Sequence, residues 1–404
     1  MLSPLGLTPS FGFGDRLGLA TPGHIASVKG TKFAPIFAQQ SVRENARTGR
    51  TPQQVMDDAK RAVDAAKWDA PWSADADHLK TVDDIPPFVD AGYTFFTIDP
   101  GEHVDNAADS DPLDVLKRKA ATFINWDHLS MLYLDQNGEQ VWGNFEAVSL
   151  QRAMVKYDNA IQHAVSMFRR LSEFTDTFDF EVSVDETDSP TTPLEHFFIA
   201  NELTRLGVKF TSLAPRFIGR FEKGVDYIGD LNALDTELAK HAAVTAHFGT
   251  YKLSLHSGSD KFSVYPLVAK HWGGRIHVKT AGTSYLEALR AIAKLNPGLF
   301  REIASFAASR YPTDRASYHV SAELSKMPNP ASVPDDQLTT LLDSFDSREI
   351  LHVTFGSVLN HAPFRAPFFA ALRSNEEVYS DMLEKHFNRH LSPFRAAGAG
   401  AVTR

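Results

Sequence analysis

The chain has no cysteine in 404 residues. That excludes disulfides, thiolate metal sites, iron–sulfur clusters and cysteine nucleophiles together, so any metal centre must be built from His, Asp and Glu. Basic charge is also short: 41 Lys and Arg stand against 50 Asp and Glu, a formal charge of −9. With no basic run, a nucleic-acid partner is not expected. Nowhere do about 18 apolar residues run on uninterrupted, so no membrane-spanning helix is expected. The first 20 residues lack the basic-then-apolar pattern of a secretory signal. Two motifs are missing as well. There is no HExxH, and Gly12, Gly14 and Gly18 are spaced GxGxxxG rather than GxGxxG, so no nicotinamide cofactor is expected. Together these absences predict a soluble, cytoplasmic protein with no membrane partner, and leave its oligomeric state open.

Hydrophobic residues make up 43% of the chain, enough for a sizeable core. Short β-rich runs over 93–99, 180–185, 209–213, 251–256, 275–279 and 349–354 alternate with helical patterns, and 11–15 is a weaker seventh strand. The best eighth is 316–321. Between 150 and 171, Leu150, Met154, Tyr157, Ile161, Val165, Phe168 and Leu171 recur at steps of three and four, marking a long amphipathic helix. Thr192-Pro193-Leu194-Glu195 and Ser284-Tyr285-Leu286-Glu287 read as capping boxes, and Asn296-Pro297-Gly298 ends the second helix. Strand–loop–helix units of this kind predict a (β/α)8 TIM-type barrel with insertions and a C-terminal helical extension; a doubly wound sheet is the alternative. The predicted domain covers 1–395, with acidic, weakly periodic insertions within 69–143 (at 69–87 and 105–143) and a disordered tail over 396–404.

In such a barrel the chemistry lies at the C-terminal ends of the strands. Ser183, Asp185 and Glu186 end one strand, and Arg216 follows another. Ser254 and His256 end a third, running into Ser257, Asp260 and Lys261. His277 and Lys279 share a face of a fourth, while His319 and His352 fall in later segments. Polar pairs on interior strand positions are costly unless they bind something, although each residue taken alone is as well explained by a core or solvated role. His and carboxylate without cysteine suit a divalent metal. His386 and His390, four apart on a charged helix, are expected at the surface.

Longer strings carry a family resemblance: 182–187 (VSVDET), 189–191 with Glu195-His196-Phe197-Phe198, 212–217 (SLAPRF), 226–230 (DYIGD), 256–263 (HSGSDKFS), 277–283 (HVKTAGT), 318–321 and 351–354. These resemble the tagaturonate/fructuronate epimerase family, including members similar to tagatose 4-epimerases. The resemblance implies a divalent metal (Zn, Mn or Ni foremost) and inversion of carbon four of D-tagaturonate or, in some members, of D-tagatose. A metal-dependent aldolase or hydrolase on a sugar or sugar acid is the alternative. Within the matched strings, Glu186, His256 and His277 are the expected metal ligands, with His319 and His352 as substitutes. Asp185 is the expected general base. Lys279 is the expected acid or enediolate stabiliser, which as an acid would need burial to bring its pKa toward neutrality. Arg216 is expected to grip a uronate carboxylate, while Ser257, Asp260, Lys261 and His319 are expected substrate contacts. Inversion at carbon four can proceed by retro-aldol cleavage between carbons three and four, or by an enediol shift that moves the carbonyl to carbon three. Both routes need a Lewis acid, a base and an acid close together.

Overall fold

A computed structural model describes residues 1–123, 126–134 and 140–397. Eight parallel strands close into a barrel in chain order: β1 (Ser10–Phe13), β2 (Ala34–Ser41), β3 (Ser73–Leu79), β4 (Phe95–Ile98), β5 (Asp179–Ser183), β6 (Ser212–Ala214), β7 (Lys252–Leu255) and β8 (Ile276–Thr280). The barrel shuts where β1 pairs with β8, with Gly12 opposite Lys279. The fold is the (β/α)8 barrel the sequence predicts.

Two predicted strands are corrected. The run 349–354 belongs to the helix Phe345–Val353, which buries Ile350, Leu351 and Val353, so its apolar residues serve a helix face. Residues 316–321 form a 3-10 turn, Arg315–Ser317, followed by irregular chain. The true additional strands are β2 and β3. Their sequences, APIFAQQS and SADADHL, carry few of the β-branched residues that mark a strand. Within the segment 69–87, expected as an insertion, Ser73–Leu79 is a strand of the barrel wall. Between β4 and β5, the described residues of 105–143 include the helices Leu113–Ala120 and Trp126–Leu134.

The long helix runs Ala147–Ser172 and buries Leu150, Met154, Tyr157, Ile161, Val165 and Leu171 against the barrel. Thr192 caps Pro193–Arg205 as its sequence predicts, accepting from the Glu195 N–H at 3.2 Å while Glu195 Oε2 accepts from the Thr192 N–H at 2.7 Å. The second expected box is not formed. Helix Thr283–Leu295 starts before Ser284, whose hydroxyl meets His24 Nε2 at 2.8 Å instead. Asn296 ends that helix and caps the next, Pro297–Asp314.

Gly12 and Gly14 have a packing role. A Cβ on Gly12 would collide with the Gln39 side chain inside the barrel, and one on Gly14 with the Ala281 backbone. The C-terminal extension ends in the helix Glu376–Ala397, whose Phe387 packs on Phe11, Phe13 and His24. It also carries His386 and His390 into the core rather than to the surface. The remainder of the expected disordered tail lies outside the described residues.

Candidate active site

The barrel interior is polar where most barrels are filled by branched apolar chains. At its centre the Lys279 ammonium lies 2.6 Å from Asp75, 2.7 Å from Asp77 and 3.0 Å from Glu181, and donates to the Thr97 hydroxyl. Burial alone would lower its pKa, but the three carboxylates outweigh that and push it up, so Lys279 stays an ammonium rather than moving toward neutrality. Burial, with Asp77 and Glu181 close by, pushes the Asp75 carboxyl the other way from an ordinary carboxylate, up to about 7 despite Lys279.

Above this network, at the C-terminal ends of β3, β5 and β7, His78, Asp185 and His256 converge. His78 gives Nδ1 to Asp77 at 2.8 Å, leaving Nε2 buried, without a hydrogen-bond partner, and 3.7 Å from Asp185 Oδ1. His256 gives Nε2 to Glu181 at 2.7 Å and turns Nδ1 to Asp185 at 3.4 Å and to the Ser183 hydroxyl at 3.2 Å. The Ser183 hydroxyl donates to Asp185 at 2.5 Å. His78 has φ +52°, a left-handed conformation that aims its ring inward. Burial opposes charge on every member. Even so, Asp77 and Asp185 hold His78 well above the usual histidine range, and Asp185 and Glu181 raise His256. In return, His256 and His78 keep Asp185 well below the usual carboxylate range against its own desolvation. Two imidazole nitrogens and a carboxylate oxygen face one point; once the imidazoles give up the protons their carboxylate neighbours favour, they form a donor set for a divalent cation.

The remaining expected site residues separate into two groups. Glu186, Ser257, Arg216 and His319 line the mouth. A cavity of about 50 Å³, walled by Asp77, His78, His256, Lys279 and His352 among others, adjoins an outer one of about 330 Å³ that holds Arg216, Arg220 and His319. Both are lined by Arg43, Glu186, Lys223, His256, Ser257 and Tyr318. Glu186 stands outside the three-donor group, 3.6 Å from Arg43. His78, Lys223 and Arg43 lower its pKa against the burial that would raise it.

His277, Asp260 and Lys261 lie elsewhere. His277 is a layer deeper, with Nδ1 on the Ser10 hydroxyl at 3.0 Å, and burial takes it down to about 3, so it is neutral. Asp260 pairs with Arg348 at 2.9 Å and His386 at 2.7 Å. Lys261 donates to the carbonyls of Glu222, Val225 and Ser259. Both shape a loop and neither lines the two cavities. Asp260, His386 and His390 form a second cluster, but His390 Nε2 already accepts the Asp260 N–H at 3.0 Å. A separate groove of about 790 Å³ is bounded by Arg50, Arg61 and Arg365 and contains no member of the triad.

Sequence reasoning missed His78, Asp75 and Asp77, all on β3. The signal was present: in Ala74-Asp75-Ala76-Asp77 the acids recur every second residue, placing both on one face of an extended strand.

Comparison with known proteins places the chain among the carbohydrate isomerases of the epimerase type. It belongs to the tagaturonate epimerase family, whose model matches residues 3–394. It is 46% identical over 390 residues to a tagaturonate/fructuronate epimerase of Thermotoga maritima, covering 96% of this chain and 80% of the relative. The native crystal structure of a fructuronate-tagaturonate epimerase from Cohnella laeviribosi superposes with a TM-score of 0.94 at 41% identity, covering 98% of this chain and 83% of that one. A glycerol complex of the Cohnella protein gives 0.93 at 40% identity, with the same shares covered.

Proposed function

We propose that the chain interconverts D-tagaturonate and D-fructuronate by inverting carbon four, with a divalent metal held by His78, Asp185 and His256. The observation that carries this reading is the backing of the two imidazoles. Each gives one nitrogen to a buried carboxylate, Asp77 or Glu181, and presents the other toward Asp185. Such backing fixes the tautomer and ring plane of a ligating histidine. The donor set suits Zn, Mn or Ni, with positions left for substrate oxygens. The substrate pair comes from the relatives' activity. Arg43, Arg216, Arg220 and Lys223 around the outer cavity favour a uronate over the uncharged ketohexoses tagatose and fructose.

When bound, the metal supplies a Lewis acid that polarises ketone and hydroxyl oxygens. With Asp185 given to that task, the base and ligand roles read from the sequence exchange, and Glu186 becomes the proton acceptor. It lines both cavities and is held ionised by its cationic neighbours, the state an acceptor needs. Lys279, fixed as an ammonium, steadies negative charge developing on the substrate without surrendering its proton. Burial of Lys279 and its carboxylate partners below the mouth lets these fixed charges act on the substrate with little screening by water.

His78→Ala tests the reading. The variant should lose bound metal in elemental analysis and lose carbon-four epimer formation more than 100-fold. Retained stoichiometric metal with retained turnover would overturn it.

A further inference from the structure

We propose that Lys223 is the anchor for the substrate carboxylate, and that the buried ionic cluster behind it exists to hold the Lys223 loop in place. The inference rests on the uronate reading above and names the specificity-determining residue within it.

Lys223 is on the wall common to both cavities, and its ammonium donates to the Ser257 hydroxyl at 2.7 Å. Of the other cations nearby, three are already engaged by acids, while Arg216 is not. Lys279 faces three carboxylates, Arg43 faces Glu186 at 3.6 Å, and Arg220 faces Glu222 at 3.4 Å. Lys223 joins none of the ion pairs formed among the described residues, although its charge acts on Glu186 from beyond that distance. Arg216 borders the outer cavity but not the inner one beside the triad.

The backbone around Lys223 is clamped. The fully buried Lys261 ammonium donates to the carbonyls of Glu222 at 2.8 Å and Val225 at 2.5 Å, and Arg348 Nε donates to that of Gly224 at 2.6 Å. Glu222 accepts the Ser321 N–H at 2.9 Å and its hydroxyl at 2.8 Å. Asp260 steadies the cluster, held by Arg348 and His386. Gly224 turns with φ +75°, where a Cβ would also press on His352. Ser257, the hydroxyl partner of Lys223, has φ +48°, a left-handed conformation that a non-glycine residue adopts at a cost. Burying two cations to grip three carbonyls of one loop is expensive. It yields a fixed position for the one side chain of that loop that faces both cavities. A point-charge ammonium beside a hydroxyl donor is a fitting receptor for a carboxylate.

The test compares K223M and K223R with wild type, using turnover of D-tagaturonate and inhibition by D-galactonate, which carries a carboxylate, and by galactitol, which does not. The expected result for K223M is a fall in kcat/KM and a rise in the galactonate Ki of about 10- to 100-fold, the range for hydrogen bonds to charged groups. The galactitol Ki should move less than about twofold, and K223R should recover part of the loss. If both inhibitors weaken equally, Lys223 is structural and the proposal fails. It also fails if neither weakens, or if R216M shows the carboxylate-selective loss while K223M does not. A wild-type enzyme that neither turns over D-tagaturonate nor binds D-galactonate would overturn the uronate reading itself, an outcome separable from those seen in the variants.

Discussion

Replacing Lys279 by Met removes the single ammonium that Asp75, Asp77 and Glu181 share at 2.6, 2.7 and 3.0 Å. Methionine fills much of the lysine stem's volume, so the loss is chiefly electrostatic. Breaking a buried ion pair by removing one partner costs about 3–5 kcal/mol, because the other charge is left unpaired. A chain of 404 residues unfolds with an entropy of roughly 0.85 kcal/mol/K on the usual per-residue scale, so that cost appears as a fall in Tm of about 4–6 °C. The pH dependence has a definite sign. Without Lys279, the desolvated carboxyls have folded pKa values raised above their unfolded ones, so the folded variant binds more protons than the unfolded chain and gains stability as pH falls. Scanning calorimetry of wild type and K279M should show the full deficit at pH 8 and a smaller one at pH 5.5. A Tm within about 1 °C of wild type at pH 8, or a deficit unchanged at pH 5.5, would refute the network as described.

Glu181→Gln removes the carboxylate that holds His256 Nε2 at 2.7 Å; it should weaken metal affinity about 10- to 100-fold while leaving the three donors present, as titration with a metal indicator would show. Glu349 converges with Glu222 on the Ser321 N–H, at 3.1 and 2.9 Å, and burial followed by the Glu222 charge raises its pKa from 4.5 to about 8. Its folded pKa is raised, so its contribution to stability is complete below about pH 4.5 and is lost as pH rises through about 8. Wild-type Tm should therefore fall between pH 6 and 9 more steeply than that of E349Q, and parallel profiles would contradict the raised pKa of Glu349.

The barrel was legible because its connections carry strong local signals, such as the Thr192–Glu195 box and the apolar stripe of Ala147–Ser172. The site was only half legible, for a physical reason. Its interior is stabilised by ion pairs rather than branched apolar chains, so β3, which supplies His78, Asp75 and Asp77, lacks the composition by which strands are found. The apolar, β-branched run at 349–354 had the opposite fault, resembling a strand while serving a helix face. His256, Asp185 and Lys279 could be picked out because they end strands with ordinary apolar neighbours. Nothing local distinguished His277 from His256. Only the barrel's depth does, placing His277 a layer lower against Ser10. Similarly, Asp260 and Lys261 are adjacent in sequence to the mouth but turn away from it to grip Arg348, His386 and the Glu222–Val225 carbonyls.

The central claim is that His78, Asp185 and His256 hold a divalent metal on which carbon-four epimerisation depends. Its most direct test is turnover of D-tagaturonate by protein stripped with chelator, verified metal-free by elemental analysis, before and after addition of Zn, Mn, Ni or Mg. The account predicts no D-fructuronate from the stripped protein and restored formation with at least one of these ions, saturating at one ion per chain. Undiminished turnover by metal-free protein would contradict it.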